Sequence, residues 1–276
     1  MRMGEVQKLT ILRESQQGLY VGDADGEVLL PRRLCPPDVR IGRPIDVFIH
    51  TDSEDRPIAT TKIPFAQIGQ FAMMRVVAVT SAGAFLDWGL DKDLFCPMGE
   101  QATPMREDER VLVRVYLDEA SGRVVSTSKY ARFLRTDGED LRVGQAVKIM
   151  IAAHQPNHTT VIIDGHIRGS LFADEWHEKL VIGEVLDGYV KQIRTEDRKV
   201  AVSLRPQGYQ AVLGERDRVL SALRASGGFL PVSDKSSPEE IHRRFGLSKG
   251  SFKKLIGTLY REQIIEIEYH GIRLKG

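Results

Sequence analysis

Apolar and polar positions alternate along most of this chain, and they do so in a pattern that recurs three times. Pro44-Ile45-Asp46-Val47-Phe48-Ile49, Arg110-Val111-Leu112-Val113-Arg114-Val115-Tyr116 and Glu184-Val185-Leu186-Asp187-Gly188-Tyr189-Val190 each carry a period of two. That period predicts strands with one buried face. Each stretch runs into an acidic turn: Asp52-Ser53-Glu54-Asp55, Asp118-Glu119-Ala120-Ser121-Gly122 and Thr195-Glu196-Asp197. A basic residue and a second alternating stretch follow, ending in small hydroxyl residues: Arg56 to Lys62, Arg123 to Lys129 and Arg198 to Leu204. Self-similarity of this kind signals a repeated structural unit.

The front halves also match. Ile68-Gly69-Gln70-Phe71 and Val143-Gly144-Gln145-Ala146 each open a strand. A second strand is predicted at Gly18-Leu19-Tyr20-Val21, at Gly83-Ala84-Phe85-Leu86-Asp87-Trp88 and at Thr160-Val161-Ile162-Ile163. A third is predicted at Gly26 to Pro31, Asp93 to Pro97 and Gly169 to Phe172. Five short strands in roughly 60–70 residues, with turn residues between them, fit a small closed barrel of the OB type. Closure removes the sheet edges that would otherwise pair with other chains.

After Leu204-Arg205-Pro206 the alternation stops. Val212, Leu213, Val219, Leu220 and Leu223 lie at helical spacing and Gly227-Gly228 ends that helix. Ser237-Pro238-Glu239-Glu240 reads as a helix start, with a hydroxyl cap, proline in the first turn and acids at the positive end of the dipole. Gly246 breaks that helix and Ser248 caps the next, with Phe252, Leu255, Ile256 and Leu259 on one face. Ile264 to Tyr269, a turn at His270-Gly271 and Ile272-Arg273-Leu274 predict a closing hairpin. Three helices and a hairpin resemble a winged helix-turn-helix. The expected fold is therefore mainly β: three tandem five-stranded OB barrels, at 1–64, 65–138 and 139–206, then an α/β winged helix at 207–276.

The order Ile68-Gly69-Gln70, Gly83-Ala84-Phe85-Leu86-Asp87, Leu94-Phe95, Val111-Leu112-Val113, Ser126-Thr127-Ser128-Lys129 resembles the S1 domain, an OB-fold RNA-binding module. Over nearly the whole chain, three such barrels followed by a winged helix resemble the bacterial conserved virulence factor B family. The resemblance implies a cytoplasmic RNA-binding regulator of gene expression, in which the last barrel and the winged helix act together on RNA. It also implies aromatics on the second strand of each barrel, and often a histidine on the third. Tyr20 and Phe85 match the second-strand aromatic, while Thr160 or its neighbour stands there in the third unit. At the third-strand position Leu29, Cys96 and Phe172 are read, so no unit keeps the histidine.

Exposed aromatics on such strands stack on unpaired bases, and nearby cations hold the backbone. Phe85 and Trp88 are expected on the binding face, with Phe172 in the third unit; Phe71 and Phe95 are expected in the core. Arg75, Arg114, Arg123 and Lys129 are phosphate-contact candidates. In the winged helix, Lys249, Lys253 and Lys254 lie on the outward face of the recognition helix, with Arg243 and Arg244 just before it.

The charge is uneven. From Gln207 onward there are 12 Lys and Arg against 8 Asp and Glu, while the rest carries 27 against 30. Charge suited to phosphate thus gathers at the C-terminus. Cys35 and Cys96 are too few and too far apart for a disulfide framework or zinc cluster. No apolar run is long enough to span a bilayer, and the N-terminus lacks a signal-peptide core. No phosphate-cradling glycine loop occurs. Asp23-Ala24-Asp25-Gly26 reads as a hairpin turn, not a calcium loop, and His154, His158 and His166 as loop residues, not metal ligands. No catalytic, metal or cofactor site is expected, and the partner expected is single-stranded RNA. Two alternatives remain open: a DNA-binding transcription regulator led by the winged helix, and an interaction protein on the ribosome or a degradation machine.

Overall fold

The computed structural model describes the backbone of residues 1–172, 180–206 and 208–275, and the side chains of all of these except 208–214. The expected helical positions Val212 and Leu213 therefore lie outside the described side chains. Compact packing divides the chain into two units. One is Met1–Glu139 with Lys148–Leu186 and Arg194–Val200; the other is Asp140–Val147 with Asp187–Ile193 and Ala201–Gly276.

The first barrel holds β1 (Val6–Glu14), β2 (Gly18–Asp23), β3 (Gly26–Pro31), β4 (Pro44–Thr51) and β5 (Pro57–Thr60). It closes in the order β1-β2-β3-β5-β4, with β3 and β5 parallel. That is the OB arrangement. The second set is β6 (Phe71–Val79), β7 (Gly83–Asp87), β8 (Leu94–Pro97), β9 (Arg110–Asp118) and β10 (Arg123–Thr127), in the same cyclic order. Its outer strands β8 and β10 lie side by side, where the Ser126 hydroxyl donates to the Phe95 carbonyl at 3.3 Å. The third set is β11 (Ala146–His154), β12 (His158–Ile163), β13 (Ile167–Phe172), β14 (Val185–Ile193) and β15 (Val200–Ser203), again a closed barrel.

Three local devices recur because the repeated sequence encodes them. The first strand of each barrel is bulged, between Ile11 and Arg13, Val76 and Ala78, and Ile151 and Ala153. A bulge bends and twists a strand, as closure requires. Gly69 and Gly144, at φ +87° and +86°, each sit at the third position of a turn closed by a hydrogen bond, Gln70 N to Gln67 O and Gln145 N to Arg142 O. Only glycine takes that left-handed position without strain. The hydroxyl residue ending each unit accepts from the amide two residues on: Thr60 from Lys62 at 3.0 Å, Thr127 from Lys129 at 2.9 Å, Ser203 from Arg205 at 3.0 Å.

The acidic turns are explained in the same way. Asp52 Oδ1 accepts from the amides of Glu54 (2.9 Å) and Arg56 (3.0 Å), Asp118 from Ser121 (3.1 Å) and Asp197 from Lys199 (3.2 Å). These carboxylates shape turns. Among the described residues no group of three His, Cys, Asp or Glu is placed to hold a metal ion.

The first two barrels share a core. Phe48 on β4 is packed among Met74, Val76, Leu86, Leu94 and Val113 of the second barrel, beside Trp88. The junction is tied by Val6 N donating to Gln67 Oε1 (2.7 Å), Ile68 N to Gly4 O (3.0 Å) and the ion pair Arg33–Asp91 (2.6 Å). On another face of the second barrel, Phe71, Leu112 and Leu134 pack with Ala152 and Ile162 of the third. Phe71 is buried, as expected, with Tyr130 edge to face at 5.3 Å.

The C-terminal domain is α1 (Gly208–Ala225), β16 (Phe229–Leu230), α2 (Pro238–Phe245), α3 (Lys249–Arg261), β17 (Ile265–Glu268) and β18 (Gly271–Leu274), with sheet order β16-β18-β17. Ser237 and Ser248 cap α2 and α3, accepting from Glu240 N (3.2 Å) and Ser251 N (3.1 Å). Gly246, at φ +69°, stops α2. Phe245 and Phe252 stack at 5.3 Å in a core that includes Leu223, Ile241, Leu259 and Ile272. This is the winged helix that the change of period indicated.

Candidate nucleic-acid interface

Phe85 and Phe95 are a cross-strand pair on β7 and β8, with ring centroids 5.1 Å apart. Both are half-buried while their neighbours Ala84, Leu86, Leu94 and Cys96 are buried. Alternation therefore turns both rings to the outside of the barrel. They line a cleft of about 240 Å³ whose opposite wall is the end of β4 and the turn after it. His50 and Asp55 come from that wall; Lys92, Asp93 and Arg123 come from the second barrel.

The cations are held in place. Lys92 Nζ donates to the Asp52 carbonyl (2.6 Å) and the Thr51 hydroxyl (3.2 Å), and pairs with Asp55 at 3.6 Å. Arg123 also pairs with Asp55. His50 Nδ1–H donates to the Thr51 carbonyl at 3.1 Å, and burial pushes the imidazole pKa down, favouring its neutral form. Burial, reinforced by Asp87, pushes the Asp93 carboxyl above its usual range. The cleft thus offers flat apolar rings, two cations at the rim and carboxylates able to accept hydrogen bonds from a base.

Two sequence expectations on this face need correcting. Trp88 is not exposed: it is 3% accessible, edge to face with Phe48 at 5.6 Å, and its indole N–H donates to the Lys92 carbonyl at 2.6 Å. Alternation itself puts Trp88 inside: Ala84, Leu86 and Trp88 are buried while Phe85 and Asp87 are half-buried, so Phe85 and Trp88, three positions apart, lie on opposite faces. Gly89, at φ +89°, turns the chain just beyond it. Phe95 is not core, and the outward third-strand residue is Phe95 rather than Cys96, which is fully buried. The signal was in the sequence. Gly18 pairs with Pro31 and Gly83 with Pro97, and two residues back from each proline stand Leu29 and Phe95.

The other candidates are scattered. Tyr20 faces out beside Leu29, but the Arg13 guanidinium lies 3.5 Å from its ring centroid, fixed by Glu27 at 3.1 Å. In the third barrel the register-equivalent pair is Thr160 and Ser170, so Phe172 is not the counterpart of Phe95. Phe172 is 43% exposed and packs beside His158 with centroids 6.2 Å apart. Arg75 pairs with Asp108 at 3.1 Å and Lys129 Nζ donates to the Gly99 carbonyl at 2.7 Å; neither lines the cleft. Arg114 lies 4.3 Å over the Phe133 ring, with Nε buried and unbonded. Arg243, Arg244, Lys253 and Lys254 are exposed and Lys249 is half-buried on the winged helix. None of these five forms an ion pair among the described residues. Lys249 opens α3 at the positive end of its dipole, an unfavourable place for a cation without an anion nearby.

Comparison with known proteins agrees with this architecture. Residues 3–62 match the S1 domain, and residues 217–274 match the CvfB-like winged helix domain. The chain resembles conserved virulence factor B across most of its length. The Staphylococcus aureus protein of that name is 24% identical over 261 residues, 86% of this chain and 81% of that one. YitL of Bacillus subtilis, described as uncharacterized, is 28% identical over 274 residues, 95% and 90% of the two chains. A solved multidomain protein with nucleic acid binding domains from Streptococcus pneumoniae aligns over 99% of this chain and 98% of its own, at 24% identity and a TM-score of 0.41. The S1 match falls on the first barrel, although the motif elements are most complete in the second.

Proposed function

We propose that this protein is a non-catalytic RNA-binding protein that acts in the cytoplasm on gene expression after transcription. The observation that carries the reading is the Phe85–Phe95 pair, which faces a cleft of nucleobase size with Lys92 and Arg123 at its edge. The S1 and winged-helix matches support nucleic-acid binding, and the stacking surface favours unpaired bases over duplex. In this reading the chain has four domains, at 1–64, 65–138, 139–206 and 207–276, whose separate weak sites add through their linkage. Among the described residues no helix is long and apolar enough to cross a membrane.

A second reading has an observation of its own. Lys249, Lys253 and Lys254 stand on the helix that enters the major groove in winged-helix DNA readers, without ion-pair partners among the described residues. Titration of the full chain with single-stranded RNA and with matched duplex DNA, at two salt concentrations, separates the two. The RNA reading expects tighter binding to the single strand. Preference for the duplex, lost when the three lysines become glutamine, replaces it with the DNA reading.

A further inference from the structure

The third barrel repeats the strand order of the second but not its surface. The bulge in each first strand provides the alignment. Arg13, Ala78 and Ala153 each follow the bulge, and they pair with Tyr20, Phe85 and Thr160. Across the next strand pair Thr160 faces Ser170, where Phe85 faces Phe95. Two rings are thus replaced by two hydroxyl residues, and the Phe85–Phe95 platform has no counterpart at these positions.

In its place lies a cleft of about 290 Å³. Arg168, Arg194 and Lys199 line it, together with Thr136, His158 and Ser170. Among the described residues no acidic side chain lines it, whereas Asp55 and Asp93 line the cleft at Phe85. Asp197, just outside, pairs with Arg194 (3.1 Å) and Lys199 (2.9 Å), and Arg168 has no ion pair among the described residues. Three cations and two hydroxyls thus converge on one concavity, and two of the cations pair with Asp197 outside it.

We propose that this cleft of the third barrel binds the phosphodiester backbone of the RNA strand, while the cleft of the second barrel takes its bases. The proposal rests on the RNA-binding reading above and divides the labour within it. Guanidinium groups match phosphate oxygens with paired donors, and the lysine adds a point charge. The carboxylates beside Phe85 repel phosphate but accept hydrogen bonds from base edges, so the two clefts select different parts of one ligand. His158, packed beside the exposed Phe172, stands at the rim where a neighbouring sugar or base would lie.

The test uses the full chain carrying Arg168→Gln and Lys199→Gln. Both side chains are exposed, and surface changes of this kind leave stability nearly untouched. The probes are a uridine oligonucleotide and an abasic strand of the same length, titrated across a salt series. Each lost phosphate contact on a single strand reduces the slope of log K against log salt by about 0.7, so the double variant is expected to lose about 1.4. It is also expected to lose binding to the abasic strand. Phe85→Ala is expected to weaken uridine binding while leaving the slope and the abasic strand unchanged. If the wild type binds RNA and the double variant keeps the full slope, the phosphate assignment is overturned and the RNA-binding reading stands. If the wild type binds neither probe, both fall together.

Discussion

The ring of Phe48 on the first barrel meets the ring of Trp88 on the second edge to face, with centroids 5.6 Å apart. Both are almost wholly buried, and His50 stacks beside Phe48 at 6.0 Å. The contact makes the two barrels one packed body. It also fixes the turn carrying Asp55 against the face carrying Phe85 and Phe95, so a cleft with walls from two barrels has a defined width. Stability and the candidate site therefore depend on the same pair of rings.

Phe48→Ala is expected to destabilise the protein by about 3–5 kcal/mol, the range for truncating a buried aromatic ring. Because the cavity opens at the junction, both barrels are expected to lose stability together. Denaturant unfolding followed by circular dichroism checks this. A loss below about 1 kcal/mol would mean that the barrels are held independently.

His50 gives the junction a pH dependence. Burial depresses its pKa, and Lys92 depresses it further, against the raising effects of the Thr51 carbonyl, Asp91 and Asp52. An unfolded histidine titrates near about 6.5, so below that pH the unfolded chain takes up a proton that folded His50 resists. The stability contributed is complete above about pH 6.5 and is lost as pH falls through the lower folded value. Urea midpoints measured from pH 7.5 to 5.5 are expected to fall, and to fall less in His50→Gln. Equal slopes in the two proteins would remove His50 as the cause.

Cys96 sits in the core of the second barrel, and burial pushes its thiol pKa up to about 11. The thiolate is the reactive form, so Cys96 is expected to resist alkylation at pH 8 until the barrel opens. Its labelling rate is expected to follow urea in parallel with unfolding. Rapid labelling of Cys96 in the native protein would contradict its placement.

Ser237→Ala and Ser248→Ala each remove a hydroxyl that accepts from a helix amide. Each is expected to lower the stability of the winged helix by about 1 kcal/mol. Thermal unfolding of the two variants checks it, and Ser→Asp replacements are expected to restore the cap.

Most of the architecture was legible because it is local. Period-two alternation marked the strands of all three barrels, and the acidic turns and the hydroxyls ending each unit proved to make the hydrogen bonds that repeat with them. Ser237, Pro238, Gly246 and Ser248 marked the helix ends of the winged helix through capping chemistry, beside its change of period. What the sequence hid is what depends on contacts between barrels. Phe48 fills a core that belongs to another barrel, whereas Trp88, three positions from Phe85, lies on the inner face by alternation and was misplaced against it. Phe95 was misplaced by one position, and in a strand one position exchanges inside for outside. The basic cleft of the third barrel was invisible because Arg168, Arg194 and Lys199 come from separated segments that only barrel closure brings together.

The most direct measurement is the affinity of Phe85→Ala/Phe95→Ala for a single-stranded RNA oligonucleotide, beside the wild type at the same salt. Both rings are half-buried on the outer face, so the fold is expected to persist, with a thermal midpoint close to wild type. Stacking contributes roughly 1–3 kcal/mol per base, so affinity is expected to drop by at least about fivefold. Unchanged affinity in a folded double variant would show that the cleft between Phe85, Phe95 and His50 is not where RNA binds.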